Sequence, residues 1–210
     1  MRTIKTTPDS LTCVRDYSEI KKRTSNTSMM KKIFSIILFC CSFSIINAQT
    51  LQLKTDSLVL AIQEVSSSEG CLVHKNTVKA AAAYYLYTPY SEDDVVRQAS
   101  QKLVVEWATN TDEFNLQLAP HMHEGLLDKE VKQGTLLAAY IAAADLYAIT
   151  NNVKETTLEA YLYALNETLH FYESNNQFIG ESKYWNKLLK KSEADRQKEL
   201  IRLFKLDNRK

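Results

Sequence analysis

The run Thr135–Ile149, TLLAAYIAAADLYAI, restricts the possible folds of this chain more than any other stretch. Leu137, Ile141, Ala144 and Ala148 recur at helical spacing and share one face, with Tyr140 and Tyr147 flanking it. Alanine is abundant enough that neighbouring backbones can approach closely. The run is therefore expected to be a central helix with other helices packed around it, which points to an all-α domain.

The rest of the pattern agrees with that class. Only three prolines and four glycines punctuate the chain. Ser57–Val65 predicts a short amphipathic helix and Ser66–Gly70 a loop. Asn76 or Thr77 is the expected cap of a helix running to about Tyr87, with Pro89 as its stop. Ser91 with Asp94 three residues on resembles a capping box, opening a helix with the stripe Val95, Val96, Ala99, Leu103 and Trp107. Thr109–Asp112 ends that helix. Phe114, Leu116 and Leu118 then alternate with polar residues, the signature of an extended segment lying on the core. Asn152 with Glu155 is the expected start of the next helix, whose stripe is Leu158, Tyr161, Leu162, Leu165, Leu169 and Tyr172. Asn175–Asn176 and Gly180 are read as its stop. From Ser182 onward a last pair of helices or one bent helix follows. The expectation is a single compact domain of about five to six helices. Ala-Ala-Tyr at 82–84 recurs at 138–140, but no fixed period follows, so a helical-repeat-like stack is an open alternative.

Location is written near the N-terminus. Lys31 and Lys32 precede an apolar run from Ile33 to Ile46, and Asn47-Ala48 closes it. Charged region, short apolar region and small residue, in that order, make a secretory signal peptide over 29–48. The run is shorter than the roughly 20 residues a membrane-spanning helix needs. Cleavage is expected after Ala48, leaving Gln49 at the N-terminus; a retained signal anchor is the alternative. Cys40 and Cys41 lack the small preceding residue that a lipid anchor requires. Residues 1–28 are polar and precede Met29-Met30, so they are expected to be an upstream extension, untranslated or disordered. The exported domain is 49–210, large enough to bury about 70% of its unfolded surface without disulfides. Of the four cysteines, only Cys71 follows the cut, as a buried thiol, a metal ligand or an intermolecular link.

Charge is unevenly spread. Residues 49–181 hold 8 Lys/Arg against 18 Asp/Glu, and residues 182–210 hold 10 against 4. An acidic body carries a basic C-terminal helix. Interleaved acids in that helix read as an ordinary solvated face. Export and the lack of a base-reading motif argue against nucleic acid as a partner.

Two clusters carry possible chemistry. Cys71-Leu72-Val73-His74 and His121-Met122-His123-Glu124 together offer a thiolate and three imidazoles, enough for a tetrahedral metal site from Cys71, His74, His121 and His123. The competing reading is a buried thiol with surface histidines. Tyr84, Tyr87 and Tyr90 form an aromatic cluster that could present a recognition patch, or pack with hydroxyls at the rim of the core. Glu92-Asp93-Asp94 suits a first helical turn, where acids favour the helix dipole. No phosphate-binding glycine loop or G-x-S-x-G is present, so no catalytic residue and no cofactor is expected.

Ala83-Tyr84-Tyr85-Leu86-Tyr87-Thr88-Pro89, then Asp94, Arg97 and Ala99, then Trp107 and Thr111-Asp112-Glu113-Phe114, resembles an uncharacterised family of exported all-helical proteins of Bacteroidota. The similarity runs on through Tyr140 and 172–176. It implies a helical fold and export, with Tyr85 and Trp107 as core aromatics and Arg97 pairing with Asp94, and it implies no activity. The functional expectation is an exported, non-enzymatic binding or assembly protein of the bacterial envelope. Its expected partner is another envelope protein, and no membrane span remains after cleavage. The alternatives are a periplasmic metal-binding protein and an enzyme of unknown chemistry.

Overall fold

A computed structural model of the chain describes residues 55–118 and 123–207, all within one unit, Gln49–Lys210. Among the described residues nine helices follow in order: α1 Thr55–Glu64, α2 Ser68–Val73, α3 Lys75–Tyr87, α4 Val95–Asn110, α5 His123–Leu126, α6 Thr135–Asn151, α7 Leu158–Ile179, α8 Lys183–Leu189 and α9 Glu193–Asp207. The last two are the pair expected from Ser182 onward; the two helices that the sequence does not predict, α2 and α5, have 6 and 4 residues. Pieces that short complete too few turns to show a period.

The Ala-rich run is the centre, as expected. Helix α6 packs against α3, α4, α5 and α7, and 12 of its 17 residues are buried. Its alanines at 138, 139, 142, 143, 144 and 148 are all buried, so several helices reach its backbone closely. Around it stand Tyr85 and Leu86 of α3, Leu103, Val104 and Trp107 of α4, and Tyr161, Leu165, Leu169 and Tyr172 of α7. The indole N–H of Trp107 donates to the Cys71 carbonyl at 3.0 Å, tying α4 to α2. That of Trp185 donates to the Gly125 carbonyl at 2.8 Å, tying α8 to α5. Each tryptophan thus buries its body and satisfies its one polar atom.

The extended segment before residue 119 is real but makes no sheet. Asn115 forms an isolated parallel bridge with Glu155, and its N–H donates to the Lys154 carbonyl at 2.8 Å. Phe114 is buried and Leu116 half-buried, while Leu118 is 40% exposed, so the apolar side lifts off the core towards its end.

Several expected boundaries move, each for an identifiable reason. Ser66–Gly70 is not all loop: the Ser67 hydroxyl accepts from the Gly70 N–H and starts α2. Gly70 passes so close to the Glu64 carbonyl that no Cβ would fit there. Helix α3 begins at Lys75, ahead of Asn76 and Thr77, with His74 at the cap position and no side-chain cap. Helix α4 is capped by Asp94 itself, whose Oδ1 accepts from the Val96 and Arg97 N–H groups, both at 3.0 Å; Ser91 is no part of the cap. The buried face of α4 is Arg97, Ser100, Leu103, Val104 and Trp107. Val95 is 60% exposed, and Val96 and Ala99 are half-buried. The sequence stripe shares only Leu103 and Trp107 with the true one, because a buried arginine and serine do not register as apolar.

Asn152 ends α6 in the left-handed conformation, at φ 51°, and it is Thr157 that caps α7. The pair Asn175-Asn176 stops nothing. Helix α7 continues to Ile179 and ends at Gly180, whose φ of 102° and close approach to the Glu130 carbonyl exclude a side chain. Ser182 caps α8 by accepting from the Trp185 N–H at 3.2 Å.

Candidate functional site

The corner between α3 and α4 is held by one cation. Arg97 is 2% exposed, and its guanidinium donates to the Tyr85 carbonyl at 2.8 Å, to both oxygens of Thr88, and to the Pro89 carbonyl at 3.1 Å. These carbonyls include the end of α3, where a helix leaves its last acceptors unpaired. Arg97 Cζ also lies 5.1 Å from the ring centroid of Tyr85, 5.5 Å from Tyr90 and 5.9 Å from Phe171. Carbonyl dipoles and aromatic faces, rather than a carboxylate contact, hold the charge. The expected Arg97–Asp94 side-chain pair does not form; Asp94 caps α4 and accepts from the Tyr84 hydroxyl at 3.0 Å. Burial pulls the guanidinium below its ordinary pKa, against the charges of Tyr85 and Asp94.

Asn175 fastens the same corner to α7. Its Oδ1 accepts from the Tyr90 N–H at 2.9 Å, and its amide donates to the Phe171 carbonyl at 2.8 Å. Tyr85 and Phe171 stack with centroids 5.4 Å apart. The junction of α3, the 88–94 turn and α7 is therefore braced by hydrogen bonds and rings together.

Outside this brace lies a groove of about 310 Å³. The end of α3 and its turn supply Leu86, Tyr87, Thr88 and Pro89. Helix α7 supplies Glu167, His170, Phe171, Ser174 and Asn175, which share one face at i, i+3, i+4, i+7 and i+8. Glu167 and Tyr87 are half-buried, whereas His170, Ser174 and Pro89 are exposed at the rim. The Tyr87 hydroxyl hydrogen-bonds Glu167 and lies 3.3 Å from the hydroxyl of Tyr163, whose ring tilts against Tyr147 at 5.2 Å. Burial raises the Glu167 pKa; the Tyr87 hydrogen bond and the neighbouring His170 oppose that rise. Burial raises both phenols as well, and the Glu167 charge adds to the effect. The wall thus carries a carboxyl hydrogen-bonded to the Tyr87 phenol, with the Tyr163 phenol behind it.

The residues singled out from sequence fall in different places. Among the tyrosines only Tyr87 lines the groove. Tyr84 is half-buried against Asp94, and Tyr90 lies over Arg97 and under Lys132, so the three do not make one exposed patch. Cys71 is 0% exposed, and its thiol donates to the Val65 carbonyl at 3.2 Å. Burial, and then Asp112, push that thiol above its usual pKa. His74 Nε2 lies 2.5 Å from Glu64 Oε2, and His123 is exposed at the start of α5. His121 falls outside the described residues. Among those described, no group of three or more His, Cys, Asp and Glu side chains stands where one metal ion could be held. Glu167, Tyr163 and His170 do not stand out in the sequence, where they read as the wet side of an amphipathic helix. The signal that points to them is the polar and aromatic face 167/170/171/174/175, offset from the leucine stripe.

The fold and groove together define an all-helical domain with a side-chain-lined cleft at a braced helix corner. No helix among the described residues is long and apolar enough to cross a membrane. Comparison with protein-family models, curated proteins and solved structures finds no match.

Proposed function

We propose that the chain is an exported, non-enzymatic binding protein of the bacterial envelope, and that its α3/α7 groove takes a small ligand. The observation that carries this is the groove itself. Binding needs complementary groups held still, and Glu167 and Tyr87 are held on two helices that Arg97 and Asn175 lock together. The export half rests on the 29–48 pattern, and the resemblance to exported helical proteins of Bacteroidota supports it. In this reading the protein works with other envelope components, and the basic face of α9 stays in solvent.

Native mass spectrometry of the protein isolated from the periplasmic fraction tests both halves. The expected species begins at Gln49, with or without cyclisation, and carries a small-molecule adduct. A variant whose groove is filled, Ser174→Trp, loses the adduct. Peptides from residues 1–28 in the envelope form would overturn export. An adduct that survives Ser174→Trp would place binding elsewhere.

A further inference from the structure

The charge pattern of the groove narrows what can enter it. Its volume, about 310 Å³, is at the lower end of small-molecule sites, so the occupant is small. Among its lining residues Glu167 is the acid and none is Lys or Arg. The nearby cation, Arg97, is spent on the Tyr85, Thr88 and Pro89 oxygens and makes no pair with Glu167. What acts on Glu167, besides its own burial, is the Tyr87 hydroxyl and the rim imidazole of His170. A half-buried carboxylate without a cationic side chain is compensated when a ligand brings the positive charge.

Two further features point the same way. Residues 49–181, which contain the groove, hold 8 basic against 18 acidic side chains, a field that concentrates cations and repels anions. The Tyr87 ring and the Pro89 ring give alkyl groups an apolar surface to lie on.

We infer that the α3/α7 groove is the site of a small organic cation, an alkylammonium group seated against the Glu167 carboxylate with the Tyr87 hydroxyl beside it. This rests on the groove being a binding site. An anion would meet the carboxylate with no Lys or Arg in the lining to offset it. A neutral alcohol fits the volume but leaves the acid uncompensated.

The test compares probes of equal shape and different charge on the full chain by saturation-transfer NMR and calorimetry. Choline and n-butylammonium are set against 3,3-dimethylbutan-1-ol, n-butanol and 3,3-dimethylbutanoate. The cations should bind about tenfold or more tightly than their neutral isosteres, with the carboxylate weakest, as expected for a partly desolvated charge pair. Glu167→Gln should erase that preference. Ser174→Lys, an exposed change on the same helix face, should also weaken the cations, and it guards against Glu167→Gln failing to fold. Neutral probes binding as tightly as cations, or a preference that survives both variants, would overturn the cation assignment and leave a binding groove standing. If no probe of any charge binds, both the assignment and the binding reading fall.

Discussion

Asp145 gives the sharpest test of how this core is built. It lies in the middle of α6 with 0% exposure, and neither carboxylate oxygen has a hydrogen-bond partner. Burial alone raises its pKa well above the ordinary carboxylate value. An unpaired neutral carboxyl in such a place costs about 1–3 kcal/mol. A second cost depends on pH. Because the folded state holds the proton more tightly than the unfolded one, the associated stability is complete below the unfolded value near pH 4. It is lost at about 1.4 kcal/mol per pH unit as pH rises towards the folded pKa. Asp145→Ala removes both costs and restores a good helix former among alanines, while giving back about 1 kcal/mol for the small void. The variant should therefore be more stable than the parent by about 1 kcal/mol near pH 4, and its advantage should grow steadily as the pH is raised from there. Urea unfolding of both proteins at half-unit intervals from pH 4 to 7 measures this, and taking the difference cancels other raised acids such as Glu167. A difference that does not grow with pH, or a variant less stable by more than about 1 kcal/mol at pH 7, would mean that Asp145 has a stabilising partner and would refute the reasoning.

Three other outcomes follow from contacts already described. Trp107→Ala should cost about 3–5 kcal/mol in chemical denaturation, since the ring is 1% exposed and its N–H holds Cys71. Arg97→Lys should still cost about 2 kcal/mol or more, because a single ammonium cannot replace a planar fork spread over Tyr85, Thr88 and Pro89. Cys71 should resist alkylation in the native protein and react on unfolding, and chelator should change neither that rate nor the melting temperature. A chelator-dependent drop in melting temperature that disappears in His121→Ala/His123→Ala would instead establish a metal site.

The architecture was readable in the sequence where apolar residues alone decide it. Thr135–Ile149 reads as a central helix because alanine permits close approach, and Tyr161, Leu165, Leu169 and Tyr172 are buried where the stripe places them. Legibility fails where a polar residue does core work. Arg97 and Ser100 are buried on α4, so the apolar stripe is rotated off the buried face and overlaps it only at Leu103 and Trp107, and Asn175 continues α7 instead of ending it. Cap positions mislead for a related reason. Asp94, Asn152 and Thr157 are all residue types that favour helix ends, and only geometry separates a start from a stop. The groove was hidden because Glu167 and His170 are ordinary surface types whose proximity to Tyr87 depends on how α3 meets α7.

Helix α9 has a consequence for how the molecule comes apart. It packs on α7, laying Leu200, Leu203 and Phe204 over a surface where Phe204 meets Tyr161 at 5.1 Å, and its ion pairs with Glu199 run to Arg202 and to Lys191 in the linker before it. Partly exposed pairs of that kind hold weakly and fade with salt. With only Leu200, Leu203 and Phe204 to anchor it, the helix is expected to lift before the α3–α4–α6–α7 kernel opens, so its amides should exchange with solvent ahead of those in α6, and each opening would bare the Tyr161 ring on α7.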